Sequence, residues 1–172
     1  MELNIANQVL ESINHTQGSL WEKISAFREQ ISDLEGAATH ELGKPQEKLM
    51  KEYYPLKHHF EGGLYTREIF MPKGQLISTG IHKKEHPYFI LKGDISVLTS
   101  EGIKRIKAPH NGITKPGTKR LIYMHEDSIW ITVHATDKTT VEDVLKDVVA
   151  KDFDDPDISI ESMKKKLKLK SK

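Results

Sequence analysis

The middle of the chain, from about residue 60 to residue 134, is built of short strand-like segments separated by turn residues. The breaks between the segments carry glycine or proline, as in Met71-Pro72-Lys73-Gly74 and Lys115-Pro116-Gly117. About eight short strands at this regular spacing favour a closed antiparallel barrel or a sandwich over a parallel sheet. The predicted strands lie at residues 64–70, 75–82, 88–91, 95–99, 104–108, 112–114, 119–124 and 128–134.

Residues 1–55 are predicted to form a helical arm. Ser19 and Glu22 make a capping box directly before a stripe of apolar residues at helical spacing. A helix with such a face packs either on the barrel of its own chain or on a neighbouring subunit. A second, short helix is predicted at residues 46–54. The stripe consists of Leu20, Ile24, Phe27, Ile31 and Leu34.

The region after the strands contains a short helix and a charged tail. Thr139 and Glu142 make a second capping box, which predicts a helix within residues 137–150. Residues 151–172 hold an acidic break followed by six lysines from Lys164 to Lys172. This basic tail is either a solvated terminus or a contact for nucleic acid or an acidic partner, and such a contact weakens steeply with salt.

Composition excludes several classes of protein. The chain has no cysteine, so a disulfide framework and thiolate metal ligands are excluded. A net charge of +1 does not indicate that the chain as a whole binds nucleic acid. No apolar run approaches the roughly 20 residues that span a bilayer, and the N-terminus lacks the pattern of a signal peptide. We therefore expect no membrane association.

Two histidines four residues apart mark the candidate site. His82 and His86 lie in strand-like sequence before Gly93, and residues two or four apart share one face of a strand. Imidazole is a common metal ligand at neutral pH, so the pair predicts one divalent cation (zinc, iron, nickel or manganese) inside the barrel. His134 and His125 are the best further ligands. The alternative is that hydrogen bonds within the barrel hold both imidazoles, or that the two rings are partly exposed at its mouth.

Arg120 indicates a different chemistry. A fixed guanidinium near two histidines is a suitable pocket for a carboxylate or phosphate. Tyr88, Tyr123 and Trp130 are candidate walls of such a pocket, because ligand sites are mostly apolar with few polar groups. The alternative is that these aromatic residues belong to the ordinary barrel core.

Four segments of the chain resemble motifs of the cupin superfamily, and they look most like small cupin-like proteins encoded by bacteriophages and prophages. The resemblance implies a mainly β fold, a jelly-roll antiparallel barrel over residues 56–136. Three positions depart from the family pattern: Gly80 replaces the first motif histidine, His86 replaces the glutamate, and Arg120 stands near the second-motif histidine. The matching segments are residues 63–74, residues 81–86 with Gly93, residues 116–123 and residues 125–134.

Together these observations lead to a leading functional hypothesis and two alternatives. The leading hypothesis is a phage-associated, non-enzymatic interaction or virion assembly module, located in the host cytoplasm or the virion. In this hypothesis the helical arm mediates oligomerisation or docking, and the expected partners are further copies of the chain or other phage proteins. The first alternative is a metal-dependent cupin enzyme or small-molecule sensor with a cation at His82 and His86. The second is a protein that binds a small anion through Arg120. No catalytic residue is assigned.

Overall fold

The strands of the middle region pair into two antiparallel sheets. A computed structural model describes residues 5–32 and 51–150. Its helices are α1 (Ile5–His15), α2 (Leu20–Ser32) and α3 (Val141–Val148). Its strands are β1 (Leu56–Glu61), β2 (Leu64–Met71), β3 (Leu76–Ser78), β4 (Ile81–His82), β5 (His86–Lys92), β6 (Asp94–Thr99), β7 (Gly102–Lys107), β8 (His110–Thr114), β9 (Leu121–Met124), β10 (Ser128–Ala135) and β11 (Val149–Ala150).

The order of the strands is that of a double-sheeted jelly roll. A five-stranded sheet has the order β1-β2-β10-β5-β8, and a four-stranded sheet has the order β3-β9-β6-β7. The short strands β11 and β4 form a separate pair. The predicted mainly β, antiparallel class is therefore confirmed. Within the described residues, the hydrogen bonds form these separate sheets and do not run continuously around a closed barrel.

Apolar side chains from both sheets meet in one core. On the five-stranded sheet, inward positions alternate along each strand, as in β10, where Ser128, Trp130, Thr132 and His134 are buried. The space between the two sheets is called the lumen below. Its apolar part contains Met71, Tyr88, Ile90, Trp130, Ile95, Val97, Ile106, Ile122 and Met124.

Helices α1 and α2 cover the outer face of the four-stranded sheet. Leu10, Ile24 and Phe27 form a second core with Leu98, Leu121 and Tyr123 of that sheet. Of the two placements expected for the helical stripe, the structure shows packing on the chain's own sheet. The side chain of Ile31 and all of Leu34 lie outside the described residues, as does most of the helix predicted at residues 46–54.

The capping predictions have different outcomes. At Ser19 the capping box forms as predicted: its backbone N–H donates to Glu22 Oε2 at 2.7 Å, and its hydroxyl accepts from the Glu22 N–H at 3.3 Å. For α3 the prediction is wrong by one residue, since the N-cap is Thr140, whose side chain accepts from the Asp143 N–H. No helix within residues 5–32 and 51–150 is long and apolar enough to cross a membrane.

Strand β1 was not predicted, because its sequence Leu-Lys-His-His-Phe-Glu contains mostly polar residues. Its alternate residues are half-buried, and it pairs with β2 along its whole length. The two strands are joined by Gly62 and Gly63, whose φ angles of 57° and 76° suit a two-residue hairpin of type I′. His58 and His59 therefore lie in a paired strand, in which His58 is half-buried and His59 is exposed.

The predicted strand at residues 75–82 is divided in the structure into β3 and β4. After β3, the chain leaves the four-stranded sheet, and β4 pairs with β11, with His82 opposite Val149. The change happens at Gly80, where a Cβ would lie 2.8 Å from Val149 Cγ1. Because no side chain fits at position 80, the C-terminal strand can approach β4 closely.

We expect Ile24→Ala to lower the free energy of unfolding by about 2–4 kcal/mol, because it leaves a cavity in a fully buried site. Chemical denaturation of the full chain measures this change. Glu11→Ala is the control, since Glu11 lies on the exposed face of α1. Equal stability of both variants would contradict the packing of the helices on the sheet.

Candidate functional site

Three histidines lie side by side at one end of the lumen. The ring centroids of His82 and His86 are 4.6 Å apart, and those of His86 and His134 are 4.0 Å apart. His86 and His134 are buried, with 2% and 5% of their surface exposed, and His82 is half-buried. The structure thus brings together three of the four histidines that the sequence proposed as ligands.

Strand pairing places each of these imidazoles. His134 in β10 lies opposite Tyr65 in β2, and His86 in β5 lies opposite Thr114 in β8. His82 is held from two sides, since it pairs with Val149 and its backbone N–H donates to the Thr118 carbonyl at 3.0 Å. Backbone hydrogen bonds therefore fix all three positions in the lumen.

Each of the three imidazoles has a buried nitrogen without a hydrogen-bond partner: His82 Nδ1, His86 Nε2 and His134 Nδ1. The other nitrogen of His86, Nδ1, donates to the Lys84 carbonyl at 3.0 Å. A carbonyl only accepts, so Nδ1 carries the proton and Nε2 of the neutral ring is an acceptor. Buried polar atoms are normally hydrogen-bonded, so three such atoms in one place indicate a missing partner.

Burial keeps the three imidazoles uncharged. It lowers the pKa of His82 to about 2, with further lowering by His86, Arg120, His134 and Arg67. Burial also lowers the pKa of His134 to about 3, helped by His86 and Arg67. The pKa of His86 is lowered for the same main reason. At neutral pH the trio therefore presents uncharged rings with free lone pairs.

Arg120 lies next to the trio, against two aromatic rings. Its guanidinium carbon is 5.3 Å from the ring centroid of Tyr88 and 5.8 Å from that of Trp130. Its Nη2 donates to Thr114 Oγ1 at 3.1 Å, and its backbone N–H donates to Thr79 Oγ1 at 2.9 Å. Tyr88 and Trp130 stack with their centroids 4.7 Å apart. The predicted grouping of Arg120 with Tyr88 and Trp130 is therefore present.

A second arginine, Arg67, shares the lumen, and sequence analysis missed it. In β2 it lies on the same face of the strand as the inward residues Tyr65, Ile69 and Met71. It lies opposite Thr132 of β10. Burial lowers the pKa of its guanidinium, as it does for Arg120. The available signal was a charged residue at an inward position of an alternating strand.

Two predicted site residues lie elsewhere. Tyr123 belongs to the core under the N-terminal helices, because Ile122 and Met124 occupy the inward positions of β9. His125 lies on the same side as Tyr123: its ring meets the Tyr123 ring edge-on at 4.7 Å, and its Nε2 is 2.7 Å from Ser96 Oγ. The structure therefore separates Tyr123 from Arg120, and His125 from the other three histidines.

His58 also has a defined role. Its Nδ1 is 2.7 Å from the hydroxyl of Tyr65, and the two rings stack at 5.8 Å. This hydrogen bond ties β1 to β2 beside the lumen. In contrast, Glu85 is exposed and pairs with Lys115 at 2.5 Å, so it faces away from the lumen.

The residues present do not fit a bound divalent cation as they stand. Within residues 5–32 and 51–150, no three His, Asp or Glu side chains are arranged to hold a metal ion. Metal–nitrogen bonds of about 2.1 Å keep neighbouring ligand rings about 4.5–5 Å apart, whereas the rings of His86 and His134 pack at 4.0 Å. Arg67 and Arg120 also repel a cation.

Comparison with known proteins gives only structural similarities. No family model and no curated protein matches the sequence. Solved structures that are similar include the cupin-2 domain of an XRE family transcriptional regulator from Enterobacter cloacae, with 8% identity and a TM-score of 0.40 over 47% of this chain and 94% of that one. A cupin-2 domain protein from Shewanella frigidimarina has 5% identity and a TM-score of 0.41, over 52% of this chain and 88% of that one.

An acetylacetone dioxygenase from Acinetobacter johnsonii has 16% identity and a TM-score of 0.41, over 60% of this chain and 78% of that one. The chain spans only 51% of the length of another neighbour, the hydroxypropylphosphonic acid epoxidase from S. wedmorenis. At such TM-scores these similarities carry no argument about function, and nothing in them links the chain to bacteriophages. The architecture rests on the strand pairing described above.

We expect the free energy of unfolding of chelator-treated protein to fall as the pH drops below about 6.5, the pKa of histidine in an unfolded chain. The folded pKa of His134 is about 3, so between these values the unfolded state binds a proton that the folded state excludes. His134→Gln should make the decrease between about pH 6 and 5 less steep, by about 1 kcal/mol per pH unit. Denaturation at several pH values measures the slope.

The matched control for this experiment is His59→Gln, because His59 is exposed. This substitution should leave the slope unchanged. If His134→Gln also leaves the slope unchanged, the imidazole of His134 is not buried in its neutral form.

Proposed function

We propose that the protein binds a small polar molecule in its lumen and acts as a ligand-binding or sensor module. The polar cluster, defined as His82, His86, His134, Arg67 and Arg120, is the site of binding. The observation that carries this proposal is the set of three buried imidazole nitrogens without partners, beside two guanidinium groups without carboxylate partners among the described residues. A ligand would supply the missing hydrogen bonds and charge.

The energetic cost of the polar cluster supports a functional role. A buried polar atom without a partner costs about 1–3 kcal/mol, so three of them destabilise the fold measurably. The rest of the lumen is filled by apolar side chains, which contribute to stability directly. A cluster that weakens the fold and has no structural partner is typical of a binding site.

The aromatic residues beside the cluster give it the composition of a ligand pocket. Tyr88 and Trp130 form an apolar wall, and Arg120 lies against both rings. Small-molecule sites combine such apolar walls with a few placed polar groups. The two rings also belong to the core, so they support the fold and border the cluster at the same time.

A divalent cation at His82, His86 and His134 is a second candidate. The observation that favours it is that the three unpartnered nitrogens belong to uncharged rings, which is the state in which imidazole binds a metal. Binding would require the rings of His86 and His134 to turn away from their present packing.

The role as a phage-associated interaction or virion assembly module stays a prediction. Homo-oligomer formation, contacts with other phage proteins, and a location in the host cytoplasm or the virion are likewise predictions. The basic tail at residues 164–172, proposed to contact nucleic acid or an acidic partner, lies outside the described residues. The described part of the N-terminal arm packs on its own chain, so it offers no support for a role in docking.

If the polar cluster serves binding, an apolar substitution in it should not destabilise the protein. We expect His134→Leu to keep or raise the free energy of unfolding, by up to about 2 kcal/mol, because it removes a buried atom without a partner. His58→Leu is the matched control, and it should lower stability by about 1 kcal/mol, since it breaks the hydrogen bond to Tyr65. A larger loss in His134→Leu than in His58→Leu would assign His134 a structural role instead.

The metal candidate is tested by titrating zinc, manganese, nickel and iron(II) separately into chelator-treated protein, with calorimetry and elemental analysis. One equivalent of a retained ion that is lost in the double variant His82→Ala/His86→Ala supports a metal site. His59→Ala controls for binding by exposed histidine. No retained ion, or an ion that the double variant also retains, rejects this candidate.

A further inference from the structure

We infer that the ligand of the lumen is an oxyanion, with a carboxylate or phosphate group that Arg67 and Arg120 bind together. The inference rests on the proposed function and adds the chemical class of the ligand to it. Its support is that Arg67 and Arg120 both face the lumen, and that neither forms an ion pair with a carboxylate of the described residues.

The carboxylates nearest the polar cluster are already paired with other residues. Asp147 acts on His134, but it forms an ion pair with Lys84 at 2.6 Å. Glu85, the neighbour of His86, pairs with Lys115, and Glu68, the neighbour of Arg67, pairs with Lys57 at 2.7 Å. Two guanidinium charges therefore remain without a carboxylate partner within the described residues. Both arginines are half-buried. A charge that is partly withdrawn from water is costly unless it is paired, and a bound anion would pair both.

Arg120 is oriented for binding and retains free donors. The rings of Tyr88 and Trp130 lie beside its guanidinium, and one nitrogen donates to Thr114. A guanidinium has five N–H donors in a fixed plane, so most of the donors of Arg120 remain for a ligand. This planar group matches the two oxygens of a carboxylate or phosphate.

Arg67 lies in β2 of the five-stranded sheet, whereas Arg120 directly precedes β9 of the four-stranded sheet. The side chain of Arg67 makes no hydrogen bond or ion pair with the described residues, and it faces the lumen from β2. The strand register brings the two arginines to neighbouring positions: Arg67 lies opposite Thr132, and Thr132 lies opposite Tyr88. The guanidinium of Arg120 lies 5.3 Å from the ring centroid of that same Tyr88. Both arginines also contribute to the lowered pKa of His82.

The neutral histidines complement an anion. His86 already donates its one N–H to the Lys84 carbonyl, so the donors available among the three rings are those of His82 and His134. Each of these two uncharged imidazoles has one N–H, which can donate to an oxyanion without adding charge to the cluster. A cation at the same place would meet two positive charges, and a neutral ligand would leave both uncompensated. The charge of the cluster therefore favours an anion over a cation or a neutral molecule.

The test measures binding by Trp130 fluorescence in the full chain carrying Trp21→Phe, which leaves Trp130 as the one tryptophan of the sequence. The probes are acetate, succinate, citrate and inorganic phosphate, with succinamide and glycerol as uncharged counterparts. Each titration is made at constant ionic strength, in chelator-treated protein. We expect saturable binding of at least one anion and none of succinamide, and the comparison of succinate with phosphate identifies which anion group is preferred.

Arg67→Met and Arg120→Met should each weaken anion binding roughly 10- to 100-fold, since each removes charged hydrogen bonds. In the absence of anion, Arg67→Met should raise the melting temperature, because it removes a half-buried charge that has no carboxylate partner among the described residues. A merely structural arginine would lower the melting temperature instead. Arg120→Lys is a second variant that keeps the charge and loses the planar group, so it tests the site even if Arg120→Met does not fold.

Arg105→Met is the matched control, because Arg105 is paired with Asp94 on the other sheet at 2.8 Å and should not affect anion binding. Anion binding that is unchanged in both Arg67→Met and Arg120→Met overturns the inference. Tight binding of succinamide or glycerol also overturns it, although the proposed function then stands. Binding of no probe, charged or neutral, at concentrations up to about 10 mM rejects both the inference and the proposed function.

Discussion

The pairing of β10 with β2 on one side and β5 on the other is the constraint on which the site depends. It aligns Thr132 with Arg67 and with Tyr88, and it aligns His134 with Tyr65. Because side chains alternate along a strand, a slip of one residue would turn His134 and Trp130 outward. The apolar residues of the same strands oppose such a slip, since they would leave the core together with the polar ones.

The interior is divided into an apolar part, which stabilises the fold, and a polar part, which does not. Residues such as Ile90, Ile95 and Met124 are fully buried between the sheets, and the N-terminal helices add a second core outside the four-stranded sheet. This apolar burial offsets the cost of placing three imidazoles and two guanidinium groups at one end of the lumen. The protein can therefore maintain a polar interior site without disulfides, since the chain has no cysteine.

Much of the fold was predictable from turn chemistry, whereas the site was only partly so. Glycine and proline mark the ends of most strands. The histidines at 82, 86 and 134 were identified as a group by residue type, but the expectation that His82 and His86 share one face of a strand is wrong, because they lie in separate strands, β4 and β5. Tyr123 and His125 were misplaced because all four residues of β9 are buried, with helices on one side and the lumen on the other. In a strand that is buried on both faces, apolar and polar residues do not alternate, so the sequence does not show which side chains face the lumen.

Arg67 and β1 show a different limit. A charged residue in a strand is usually exposed. The sequence shows that Arg67 has the same parity as Tyr65 and Ile69, but the register of β2 with β10 is needed to show that this parity is the inward one. Strand β1 contains lysine, glutamate and two histidines, and its strand character depends on pairing with β2 through the glycine hairpin. Both features are set by tertiary context, which local patterns do not contain.

The pair formed by β11 and β4 joins the end of the described chain to the candidate site. Val149 lies directly opposite His82, and its side chain occupies the space above Gly80. The backbone N–H of His82 donates a hydrogen bond to the carbonyl of Thr118, in the segment that leads to Arg120. A displacement of residues 149–150 would therefore move one of the three imidazoles, so the geometry of the lumen depends on the pairing of β11 with β4.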